Sequence, residues 1–272
     1  MAPDETGSAV VTGRAYRLVT TGCLTILIAL IVVLGIVVSW LWYRHWHDGN
    51  VNSRRSEQAL ASILKQARAK ADDTARALGT TAATDPATDP ATDADALTEV
   101  IWQRTEAPVI NYNASRREFT ATAARSAVYD EAGILPGGGP VKVTRCLVFT
   151  YTPHPGRAWT SRVTERDEDM CRPGTEIGGR VRLAWTRIAG MPAEDLTRAG
   201  VQKALDPTGQ RRSYDVKSAA RRGDTVTVSL VVSSRGPGTT VDQCYRFTRP
   251  AAGGDGQNSA TAVPASSCRP RG

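Results

Sequence analysis

The chain has 272 residues, of which 41% are hydrophobic, 22% charged and 6% aromatic, with 34 Lys or Arg against 27 Asp or Glu and a formal net charge of +7. It carries neither a phosphate-binding Gly-rich loop nor a dinucleotide fingerprint, and no Gly-x-Ser-x-Gly elbow, so the common signatures of nucleotide enzymes and serine hydrolases are excluded. Among the basic residues 29 are Arg and 5 are Lys, a bias that, with the plentiful Ala, Gly and Thr, points to a GC-rich bacterial genome.

Residues 1–17 read as a short polar tail. Residues 18–43 then run for 26 positions without a charge, enough for a helix to cross a hydrocarbon core with room for tilt. Trp40, Trp42, Tyr43 and Trp46 crowd its far end and Tyr16 precedes the near end, as expected where aromatic rings meet headgroups. A cleaved signal peptide would have a shorter run followed by small residues. Here the exit is Ser39-Trp40-Leu41-Trp42, so a retained single-pass signal anchor is expected. Cys23 precedes the apolar run rather than following it, unlike a lipoprotein box, and reads as a small apolar residue of the span.

Residues 44–79 read as a juxtamembrane stalk helix. Leu60, Ile63, Leu64, Ala67, Ala71, Ala75 and Leu78 recur at steps of three, four and seven, one apolar stripe that suits a stalk or a weak homo-oligomer seam, and Gly79 is the expected stop. Residues 80–95 repeat Ala-Thr-Asp-Pro, an extended linker that builds no core.

Beyond the linker two units are expected, 96–190 and 191–272. The first reads as a helix at 95–104 capped by Asp95, strands at 108–113, 119–129 and 141–152, and a further short strand at 158–164. The second reads as a helix from Pro192 to Leu205, then strands at 213–219, 225–232 and 240–248. Val181, Leu183 and Trp185 alternate with Arg, which predicts an extra strand over 179–188. The fold class is therefore α+β: a transmembrane helix, a juxtamembrane helix, a linker and two tandem helix–antiparallel-β units.

Each unit contains a Cys strand. Cys146-Leu147-Val148-Phe149-Thr150 is followed by Cys171-Arg172-Pro173, and Cys244-Tyr245-Arg246-Phe247-Thr248 by Cys268-Arg269-Pro270. Four Cys allow three pairings, and the matched spacing favours Cys146–Cys171 and Cys244–Cys268. Disulfides persist in an oxidising compartment. Arg44, Arg54 and Arg55 after the span outnumber Arg14 and Arg17 before it, which argues for the opposite orientation, but long domains translocate largely regardless of charge. The cysteines therefore decide the expectation: N-terminus cytoplasmic, C-terminal domains outside.

Candidate chemistry is sparse, and no catalytic or metal residue and no cofactor is assigned. His154 lies in a Pro-flanked turn; Ser62 and Lys65 match Ser-x-x-Lys without its partner motifs; His45 and His47 are two apart, unlike a helical zinc pair. The run from Glu165 to Asp169 lacks calcium-loop spacing. The repeated charged feature is a pair of Arg turns, Arg116-Arg117 and Arg221-Arg222, candidate anion contacts. From position 96 onward 22 Arg and 3 Lys face 17 acids, so an anionic wall polymer or another envelope protein is an expected partner; nucleic acid is not.

The Cys-strand segments around Cys146 and Cys244 resemble the extracytoplasmic Cys-paired units of single-pass membrane proteins of high-GC Gram-positive bacteria, a resemblance that implies no activity. The helix–β order is loosely similar to cystatin-like envelope ectodomains. The function expected is a membrane-anchored extracytoplasmic binding or scaffold protein without catalysis. The alternatives are a structural subunit of a membrane or secretion complex, or an envelope hydrolase.

Overall fold

A computed structural model describes residues 12–82, 90–132, 138–154, 157–209, 213–236, 239–251 and 260–268. Residues 1–11 of the expected cytoplasmic tail and 83–89 of the expected linker lie outside the described residues, while 12–17, 80–82 and 90–95 are helical. The chain divides into two compact units, Met1–Glu57 with Tyr129–Val141, and Gln58–Val128 with Lys142–Gly272.

Helix α1 (Thr12–Ala82) contributes to both units and is 71 residues long. It merges the expected transmembrane and stalk helices into one element, and Gly79 does not end it. Thr80 and Thr81 continue the turn instead, both donating their hydroxyls to the Ala77 carbonyl. In the first unit the helix is long and apolar enough to cross a membrane, and Leu27, Ile31, Leu34, Val38, Trp42 and Trp46 are exposed along it. The Arg44 guanidinium sits 5.2 Å from the Trp40 ring centroid, a cation–π contact at the end of the apolar run. Further along, the Asn52 side-chain amide clasps Ala132. Its Nδ2 donates to the Ala132 carbonyl at 2.9 Å and its Oδ1 accepts from the Ala132 N–H at 2.8 Å.

The second unit holds two antiparallel sheets. The first consists of β1 (Val109–Asn113), β2 (Glu118–Asp130), β3 (Pro140–His154) and β4 (Arg157–Arg166), in the order β1-β2-β3-β4. The second consists of β5 (Tyr214–Arg222), β6 (Thr225–Gly236), β7 (Thr239–Pro250) and β8 (Thr261–Ala265), in the order β5-β6-β7-β8. Strand β8 has no counterpart in the sequence reading. It is short, and Pro264 inside it removes a ladder donor, which confines such a strand to an edge.

Each sheet buries one face against helices that precede it. On the first sheet Phe119, Ala121 and Ala123 of β2 and Leu147, Phe149 and Tyr151 of β3 alternate inward. They meet Ile63, Ala67, Ala71, Ala75 and Leu78 of α1, with Leu97 and Ile101 of α2 (Pro90–Thr105). The Ala-rich stripe buries little area of its own but lets the helix backbone approach the large sheet side chains. That stripe therefore packs on the chain's own sheet. Helix α2 begins at Pro90, inside the expected linker, because Pro suits the first helical turn. Asp95 is consequently buried mid-helix, not a cap.

The second sheet is covered by α3 (Arg172–Ala189) and α4 (Arg198–Leu205). Residues 179–188 are helical, against the expected strand. The alternation of Val181, Leu183 and Trp185 masked a helical period: Ile177, Val181, Ala184 and Ile188 recur at steps of four, three and four and are buried, while Leu183 and Trp185 are exposed. Nor does one helix run from Pro192 to Leu205. A single 3-10 turn (Ala193–Asp195) precedes α4, whose cap is Thr197, its hydroxyl accepting from the Gly200 N–H at 3.1 Å. A Cβ at Gly200 would lie 2.2 Å from the Asp195 carbonyl oxygen, so only Gly fits this junction.

The disulfides are Cys146–Cys171 and Cys244–Cys268. Each joins the third strand of its sheet to the segment just after the fourth.

Three arginines close helix ends. The last carbonyls of a helix lack intrahelical donors and carry the negative end of its dipole. Arg125 donates to Thr105, the last residue of α2. Arg187 reaches Ala204 and Leu205 at the end of α4, at 3.1 and 2.9 Å. The buried Arg249 donates to Ile188, Ala189 and Met191 at 2.8, 3.0 and 2.7 Å, closing α3.

Candidate ligand groove

A seam of buried polar contacts joins the two sheets. Gln243 of β7 accepts from the Ile110 N–H at 2.8 Å and donates to the Cys244 and Ala265 carbonyls, both at 3.2 Å. Tyr245 donates to the Pro108 carbonyl at 2.6 Å, and burial pushes its phenol well above the ordinary value. Asp95 of α2 accepts from Arg246 at 2.7 Å and from the N–H and hydroxyl of Ser266 at 2.9 and 2.6 Å. Burial by itself would raise this carboxyl. The hydrogen bonds from Ser266 and Arg246 outweigh it and hold the carboxyl below the ordinary value.

Beside this seam lies a groove of about 540 Å³, within the usual size of ligand sites, about 300–1,000 Å³. One wall is α2, with Glu99, Trp102 and Gln103, continued by Glu106 and Pro108. The other is α3, with Gly178, Val181, Arg182 and Trp185, and β8 forms the floor through Thr261, Ala262 and Val263. Gly178 and Gly174 of α3 pack beside Pro108 just before β1, where an added Cβ would lie at ordinary van der Waals distance, 3.5 and 3.4 Å from its ring. Trp185 is fixed by its indole N–H, which donates to the Ala260 carbonyl at 2.7 Å, yet 37% of its surface stays exposed. On the α2 wall Gln103 donates to Glu99 at 3.2 Å, and Glu106 pairs with Arg125 at 3.4 Å.

The sequence pointed elsewhere. Arg116 and Arg117 lie at the β1–β2 turn, where the Arg116 N–H donates to Asn113 at 3.2 Å and Arg117 has φ 51°. Arg221 and Arg222 lie at the β5–β6 turn, where Arg221 Nε donates to the Gly223 carbonyl at 3.1 Å. All four are exposed, and none lines the groove. His154 is exposed at the end of β3, in register with Arg157. Glu165 pairs with Arg145 at 2.6 Å and Asp169 with Arg172 at 2.5 Å. Among the described residues no three His, Cys, Asp or Glu side chains cluster as metal ligands do. Of the two groove tryptophans that sequence reasoning passed over, Trp185 is exposed, whereas Trp102 is half-buried against the core of the first sheet.

Comparison with known protein families, with curated proteins and with solved structures gives no match.

Proposed function

We propose that this chain is a single-pass, membrane-anchored binding module of a bacterial envelope. Its N-terminus faces the cytoplasm, its sheets lie outside, and it acts without catalysis. The observation that carries the reading is the groove whose lining sets the indoles of Trp102 and Trp185 beside the polar side chains of Glu99, Gln103 and Arg182. The apolar stretch of α1 supports anchoring, and two disulfides support an oxidising compartment. The shared position of the disulfides, and the sequence of two helices followed by a four-stranded meander in each half, support a tandem repeat. Alkaline carbonate extraction of native membranes followed by non-reducing mass mapping tests the proposal. The chain is expected in the pellet with both disulfides formed. A carbonate-soluble chain, or free thiols at Cys146 and Cys244, would overturn it.

A further inference from the structure

We propose that the groove binds a short neutral saccharide, stacked on Trp185 and hydrogen-bonded along the α2 rim; this rests on reading the groove as a binding site. Charge argues first. Glu106 is matched by Arg125, and Arg182 lines the same groove as Glu99, so the lining is close to neutral. Two carboxylates at the rim also disfavour an anionic polymer here, whatever the net charge of the chain.

The polar groups then narrow the chemistry. A sugar hydroxyl both donates and accepts. The rim answers with carboxylates that only accept, a guanidinium that only donates, and the Gln103 amide, which does both. These are planar groups on short spacing, and Glu99 and Gln103 are held one helical turn apart by their own hydrogen bond at 3.2 Å. The indole of Trp185 has its N–H committed to Ala260. What it offers a ligand is its fixed apolar surface, the complement of the C–H face of a sugar ring.

Strand addition by a peptide is the competing use of such a cleft. The β8 edge is poorly suited to it: Pro264 has no N–H, and the Ala260 carbonyl already accepts from Trp185.

The test uses the full chain in nanodiscs of zwitterionic lipid and four probes: a tetramer of N-acetylglucosamine, maltotetraose, a wall teichoic acid, and a Pro- and Arg-rich decapeptide. Calorimetry is run at low and high salt. The expected result is saturable binding of at least one neutral tetramer, unchanged by salt. It should weaken at least tenfold in Trp185→Ala and in Gln103→Ala, an exposed change that leaves the core intact, and persist in Arg221→Ala. Trp185-dependent binding of the peptide alone would overturn the saccharide assignment while leaving the binding module standing. Salt-sensitive binding of the teichoic acid alone, lost in Arg221→Ala, would overturn it in favour of the Arg turns. No binding of any probe would overturn both.

Discussion

Asp95 shows how much one side chain carries at the seam. Its carboxylate receives Arg246 and two donors from Ser266, and its ionisation is easier folded than unfolded. A lowered folded pKa stabilises the fold above the unfolded value, near 3.8, and that contribution is lost as pH falls through the folded value. Acid unfolding of Asp95→Asn should therefore lack this component below the ordinary carboxylate range. At neutral pH urea melts should show a loss of about 2 kcal/mol, the scale of hydrogen bonds to a charged group. Equal acid sensitivity of the variant and the parent would refute the assignment. Tyr151 is the opposite case. Its hydroxyl is buried with no hydrogen bond of good geometry among the described residues, and desolvation pushes its pKa up to about 12, offset in part by the Thr74 hydroxyl beside it. The neighbouring Thr74 hydroxyl already donates to the Lys70 carbonyl at 2.7 Å. Removing an unsatisfied buried polar atom while keeping the ring is neutral or favourable, so Tyr151→Phe should leave the melting temperature unchanged or raise it. A clear fall would mean that the hydroxyl has a partner.

At the scale of elements, arginine caps are the recurring device. Arg249 closes α3 with three carbonyl contacts while only 8% exposed. Arg249→Ala should cost about 3 kcal/mol in chemical denaturation, because the carbonyls lose a charged donor inside the protein. Arg221→Ala, on an exposed turn, should cost under about 0.5 kcal/mol. The same element explains what sequence could and could not reveal. Strands β2, β3, β6 and β7 were legible because their inward residues alternate and Gly or Pro bounds them. Helix α3 was misread because Arg180 and Arg182, alternating with Val181 and Leu183, imitate a period of two, while the buried set Ile177, Val181, Ala184 and Ile188 that meets the second sheet follows the helical period. Strand β8 was invisible because its five residues derive their order from pairing with β7, from Cys244↔Ala265 to Thr248↔Thr261, a tertiary contact that no local pattern announces. The groove was illegible for the same reason. Its walls lie some 80 residues apart in the chain, and neither Trp102 nor Trp185 has a motif around it.

For the whole molecule, the two disulfides and the exposed apolar run of α1 belong to one argument about compartment. Each closed loop, with separations of 25 and 24 residues, should contribute about 3 kcal/mol by restricting the unfolded chain. Replacing Cys244 and Cys268 together with Ser should lower the unfolding free energy by that amount, read from urea titrations under oxidising conditions. The disulfides are consistent with an oxidising compartment, and the exposed run is long and apolar enough to cross a membrane. The measurement that joins them is thiol labelling of intact cells with a membrane-impermeant maleimide, using Asn111→Cys on the exposed part of β1. Labelling without permeabilisation, on a chain retained in the membrane fraction, is the predicted result. Labelling that appears only after the membrane is opened would place the sheets in the cytoplasm and contradict the account.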